Sequence, residues 1–173
     1  EREHPPGFRW LHESFGTNWR LTEMQAAIGR IQLARMPEWK AARQANAQRI
    51  WQAASQCSGL RVPTIPEHIE HAAYKCYVFV EPQQLAEGWD RDRIMNEIVA
   101  RGVPCFSGSC SEVYLEKAFD GTDWRPEAQL PVARELGETS LMFLCHPTLT
   151  EAEIDKTCRV LQEVMAEAVQ GRG

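Results

Sequence analysis

Apolar positions along this chain follow two patterns, helical spacing in some segments and unbroken short runs in others. The clearest helix is the last one: Ile154, Cys158, Leu161, Met165 and Val169 recur every three or four residues and so share one face. Thr150 with Glu153 three residues on is a capping-box pattern, and Leu149 and Ile154 hold the positions of a hydrophobic staple. The same signature recurs at Thr22 and Gln25, with Leu21 just before it as the staple residue, and Leu21, Met24, Ile28 and Ile31 fall on one helical face. Pro37 belongs in the first turn of a helix and not in its interior, so the pattern predicts two helices with a kink or short turn between them, the second running to about Ser55.

Tyr74–Val80 and Leu141–Cys145 are short, aromatic or β-branched runs that read as buried strands, with a briefer strand at Val103–Phe106. Asp90 caps a helix carrying Ile94, Ile98 and Val99, and Gly102 sits where a left-handed C-terminal cap is expected. Leu130–Leu136 reads as helical, and residues 1–20, with Pro5-Pro6-Gly7, as a loop or short edge strand. Strands alternating with helices after a long helical lead-in predict an α/β (α+β) domain, a small sheet covered by helices on one face.

Composition narrows the function classes. Hydrophobic residues are 43% and charged residues 25% of 173, as in a globular protein, and the net charge is −5. An acidic chain lacks the broad basic face that general nucleic-acid binding needs. With no apolar run of membrane length and no signal peptide, the expectation is a cytoplasmic protein without membrane contact. The six cysteines form no Cys-x-x-Cys pair; reduced thiols used as small hydrophobes are the expectation, with disulfides or a metal as the alternative.

Three segments carry candidate chemistry. Gly16-Thr17-Asn18-Trp19-Arg20 lies just before a capped helix, where unpaired amides favour anions and an arginine can grip a carboxylate or phosphate. The plainer alternative gives Asn18 only a turn-shaping role. Ser107-Gly108-Ser109-Cys110-Ser111 can offer hydroxyls to a substrate, Ser107 and Ser109 foremost, or be an ordinary strand-to-helix loop; it matches no phosphate-loop pattern. Adjacent Cys145 and His146 at a strand end point to opposite sides and cannot pair as nucleophile and base. No histidine has zinc spacing with the cysteines, and the acidic pairs Glu151/Glu153 and Asp90/Asp92 sit in first helical turns, where they offset the dipole.

Taken together, the run from Gly16 through Arg20, Thr22, Gln25 and Ala27 to Gly29 resembles the G-x-N-x-R-M-T-E-x-Q-A-A-x-G signature of the DegT/DnrJ/StrS aminotransferases. Trp39-x-x-x-Arg43, the Tyr74–Val80 strand, Arg101-Gly102-Val103, Leu130-Pro131-Val132-Ala133 and His146-Pro147-x-Leu149-Thr150 continue the likeness in order, over nearly the whole chain. The resemblance implies the C-terminal portion of an enzyme that uses pyridoxal 5′-phosphate to pass an amino group, commonly from glutamate, to a keto-sugar that is usually nucleotide-linked. It implies a homodimer of the aspartate-aminotransferase type, in which residues 1–57 are an active-site loop and interdomain helices and 58–173 the small C-terminal α/β domain. It also implies that Asn18 reaches the cofactor phosphate of the neighbouring subunit and that Arg20 meets a substrate carboxylate or phosphate.

Two departures qualify the likeness. Lys40, Lys75, Lys117 and Lys156 lack the family's Schiff-base surroundings, so the large cofactor-binding domain is expected to be missing from this chain, leaving it inactive alone. A His-Tyr-Pro-x-Pro-x-His stretch common in the family is replaced by Gly108–Tyr114, so the substrate pocket should be of another type. Two rivals remain: a nucleic-acid-binding regulator with a helix-turn-helix over residues 22–43, and a non-catalytic homologue acting as a partner.

Overall fold

The computed structural model describes residues 14–16 and 19–170. Four α-helices surround a four-stranded sheet in the chain order α1 (Glu23–Ser55), β1 (Leu60–Arg61), β2 (Cys76–Val80), α2 (Arg91–Ala100), β3 (Cys105–Phe106), α3 (Pro131–Thr139), β4 (Ser140–Phe143) and α4 (Glu151–Val169). The two expected lead-in helices are one. Pro37 lies inside a single 33-residue helix. Its ring removes the bond to the Leu33 carbonyl, but Leu33 is 71% exposed, so water can take that acceptor and the helix continues. The capping box at Thr22 is present as expected, with Gln25 N–H donating to Thr22 Oγ1 and Thr22 N–H to Gln25 Oε1.

The sheet is antiparallel throughout, in the order β1-β2-β4-β3. Alternation along β2 turns Cys76, Val78 and Val80 inward, and the register sets Phe143 opposite Cys76 and Leu141 opposite Val78. These side chains form one core with Ile50 of α1, Ile94 and Ile98 of α2, and Ile154 and Leu161 of α4. Ala47 and Ala54, fully buried beside Ile50, give the second half of α1 a narrow surface that approaches the sheet closely. The strands expected at 74–80, 103–106 and 141–145 form, each shorter than its apolar run, while the loop or edge strand expected over residues 1–20 falls largely outside the described residues. β1 was not foreseen, because two residues carry no period.

The helices do not all lie on one side. Tyr77 and Phe79 point away from the core, Arg61 stacks over the Phe79 ring at 4.4 Å, and Glu135 of α3 reaches Arg61 at 3.9 Å. α3 therefore covers part of the opposite face, a position its own amphipathic pattern does not encode. Elsewhere local signals hold. Asp90 accepts from Arg93 N–H to cap α2, Gly102 takes φ of +74°, and Thr150 and Glu153 complete the box at α4 with Ile154 buried behind it. Cys76, Cys105 and Cys145 are core residues, and burial pushes the Cys105 thiol up to about 12 and Cys76 further. They stay neutral at physiological pH and pack as small hydrophobes. No helix among the described residues is long and apolar enough to cross a membrane.

Candidate functional site

Beyond β3 the chain turns back over the outer face of the sheet, and two glycines decide how closely it lies. Gly108 has φ of +88°, and a Cβ there would stand 2.5 Å from Cε1 of Tyr77. Glycine is required by handedness and by space. The loop so pressed down is held by the Ser109 N–H, which donates to Tyr77 Oη at 3.3 Å, and by Lys75 Nζ, which donates to Ser109 Oγ at 3.4 Å. On the far side Gly137 of α3 leaves room for Ser111, whose Oγ a Cβ would overlap.

Between loop and helix lies a cavity of about 330 Å³ whose polar walls include Ser107, Ser109, Ser111, Glu112, Gln129 and Arg134. Glu112 Oε1 accepts from Tyr114 Oη–H and from Gln129 Nε2, both at 2.7 Å. Tyr114, nearly buried, accepts in turn from the Leu130 N–H at 3.0 Å, which ties the loop to the start of α3. Burial, and next the bond to Glu112, raise the Tyr114 pKa, so it remains a donor. Arg134 donates to Glu138 at 2.8 Å one turn on. Three hydroxyls, an amide, two carboxylates and one guanidinium make a hydrogen-bonding pocket with slight negative charge. That set suits hydroxyl groups better than phosphate.

Of the residues singled out in the sequence, Ser107 and Ser109 line this cavity together. Asn18 falls outside the described residues. Arg20 is exposed two residues ahead of the α1 cap and is not among the cavity's lining residues. Cys145 is buried with Sγ 2.9 Å from the Ala73 carbonyl, while His146 is exposed and bonds Thr148. The two side chains do point apart. Glu112, Gln129 and Arg134 escaped notice because they are far apart in sequence and lie where no period is visible. The pairing of Arg134 with Glu138 at i, i+4 was a legible hint of a helix, though not of a site.

The lysines test whether the chain could hold an aldehyde cofactor covalently. Lys40 pairs with Glu70, Lys75 with Ser109, and Lys156 donates to the Gly102 carbonyl at 2.9 Å, while Lys117 is exposed. None lines the polar cavity described above. Covalent attachment does not fit these residues. A helix-turn-helix does not fit either, since one unbroken helix spans the whole of 23–55.

Comparison with known proteins gives a consistent result. The model of the DegT/DnrJ/EryC1/StrS aminotransferase family matches residues 3–162. A structure of an aminotransferase from Psychrobacter cryohalolentis is 59% identical, with a TM-score of 0.81 over 96% of this chain and 44% of its own. The DesV protein of S. venezuelae, solved with a ketimine intermediate, is 26% identical with a TM-score of 0.71, over 90% of this chain and 40% of its own. The dTDP-3-amino-3,4,6-trideoxy-alpha-D-glucose transaminase of Streptomyces venezuelae is 29% identical over 156 residues, 90% of this chain and 38% of that protein. The chain thus spans less than half the length of each.

Proposed function

We propose, for a chain that belongs to the DegT/DnrJ/EryC1/StrS aminotransferase family, that it is the C-terminal portion of an enzyme that aminates a nucleotide-linked keto-sugar. The donor is an amino acid, glutamate in our reading, and the product feeds surface polysaccharide synthesis in the cytoplasm. The observation that carries this is the family match over residues 3–162, nearly the full chain. The relative that makes a dTDP-linked amino sugar supports the substrate class.

Residues 1–57 act as active-site loop and interdomain helix, and residues 58–173 as the small domain. The cofactor of the family is pyridoxal 5′-phosphate, which when bound supplies the electron sink for moving the amine. Its covalent attachment belongs to a larger N-terminal domain, because the lysines here do not fit it. What this chain contributes is non-covalent. Asn18 holds the cofactor phosphate of the partner subunit, and Arg20 meets the anionic group of a substrate with its planar fork. Ser107 and Ser109 take sugar hydroxyls in the cavity. The exposed apolar residues of the first half of α1, among them Met24, Ile28 and Ile31, supply the surface that the large domain and second subunit cover.

The test is made on the full-length enzyme, with glutamate and keto-sugars linked to dTDP, UDP or GDP. Formation of an amino sugar together with 2-oxoglutarate is the expected result. Failure of glutamate to give up its amine, with cofactor bound, counts against a transaminase and returns the chain to a non-catalytic partner.

A further inference from the structure

Glu112 is held in an uneven way. Both of its hydrogen bonds, from Tyr114 and from Gln129, arrive on Oε1, and Oε2 accepts none among the described residues. The carboxylate is fixed through one oxygen, and Glu112 lines the cavity together with Ser107, Ser109 and Ser111. A carboxylate has about four acceptor sites and no donor, so the group it recognises must donate. Glu138 on the α3 wall adds a second carboxylate, and the two cations nearby are engaged, Arg134 with Glu138 and Lys75 with Ser109 Oγ. Phosphate and carboxylate ligands are disfavoured there. A neutral ring carrying several hydroxyls is favoured.

We propose that Glu112 is a specificity-determining residue whose Oε2 accepts a hydroxyl of the substrate's hexose ring, while the nucleoside diphosphate binds elsewhere. This rests on the sugar aminotransferase reading, and it divides the substrate: this pocket reads the sugar, not the phosphates. The serines act as adaptable partners on either side. Tyr114 and Gln129 are positioning residues that aim the carboxylate.

Glu112→Gln is the informative change, since the amide oxygen can keep the two bonds on Oε1 while an NH₂ donor replaces the accepting Oε2. Full-length enzyme is titrated by calorimetry with dTDP-glucose, UDP-glucose and GDP-glucose, each against its free nucleoside diphosphate. In the wild type, one sugar nucleotide should bind more tightly than its bare diphosphate. Glu112→Gln should lose that difference, by about tenfold or more for a hydrogen bond to a charged group, with the bare diphosphate unaffected. Ser109→Ala should shrink the same difference by less. The inference is overturned if the difference survives Glu112→Gln, if bare diphosphate affinity falls equally, or if no sugar nucleotide outbinds its diphosphate in the wild type. Release of the amine from glutamate is measured on the wild-type enzyme alongside. Its presence leaves the transaminase reading intact whatever Glu112→Gln does, and its absence counts against that reading instead.

Discussion

The two halves of α1 carry similar apolar content and meet different surroundings. Ala47, Ile50, Ala53 and Ala54 near its C-terminal end are buried against the sheet and α4, while Met24, Ile28, Ile31 and Leu33 near its start are more than half exposed. A row of apolar side chains on a capped helix is costly to leave in water when nothing is gained from it. The contrast separates a second half that belongs to this core from a first half that, on the reading proposed above, packs against the large domain or the second subunit.

The largest effects should separate the halves most sharply. Phe143→Ala, at a fully buried position, should cost about 3–5 kcal/mol in urea unfolding of the chain. Ile28→Ala, at a position 58% exposed, should change it by less than about 0.5 kcal/mol. In the full-length enzyme Ile28→Ala should become clearly destabilising, and equal effects in the two settings would break the contrast. Next in size is Gly108→Ala, which should cost roughly 1–2 kcal/mol for the left-handed backbone alone and more for the collision with Tyr77. Thermal unfolding with and without a sugar nucleotide measures the fold and the pocket together.

A smaller effect compares two capping boxes, Thr22 with Gln25 and Thr150 with Glu153. Thr150→Ala at α4 should cost about 1 kcal/mol, because the first turn it holds carries buried Ile154. Thr22→Ala at α1 should cost less in the chain alone, since its first turn can fray without disturbing the core. The smallest is a pH effect. Bonds from the Thr150 N–H and hydroxyl hold the Glu153 carboxylate below its ordinary value near 4.5. Its contribution is present above that value and is lost as pH falls through the depressed folded value. The stability gap between wild type and Glu153→Gln should therefore narrow in acid, and a gap that widens would contradict the assignment.

How much of this was legible depends on whether a signal is local. Caps at Thr22, Asp90 and Thr150, the left-handed Gly102 and the buried Ile154, Leu161 and Met165 of α4 depend on residues within a few positions of each other, and the sequence states them directly. Pro37 misled because the rule against interior proline assumes that the freed carbonyl is costly, and beside exposed Leu33 it is not. The cavity could not be read. Its walls come from residues 107–115 and 129–138, which meet because Gly108 and Gly137 permit close approach. The Gly16–Gly29 motif worked differently, through resemblance and not through geometry.

The most direct measurement of the central proposal, that Asn18 and Arg20 complete a site held mainly by a neighbouring subunit, is a mixed dimer of the full-length enzyme. One subunit carries Asn18→Ala with Arg20→Lys, and the other lacks the Schiff-base lysine of the large domain. If the pair acts across the interface, each mutant alone is inactive and the heterodimer regains one working site, with lysine and Asn18/Arg20 from opposite chains. A mixture no more active than either mutant, with heterodimers shown to form, contradicts it and leaves Asn18 as a residue that shapes the turn ahead of α1.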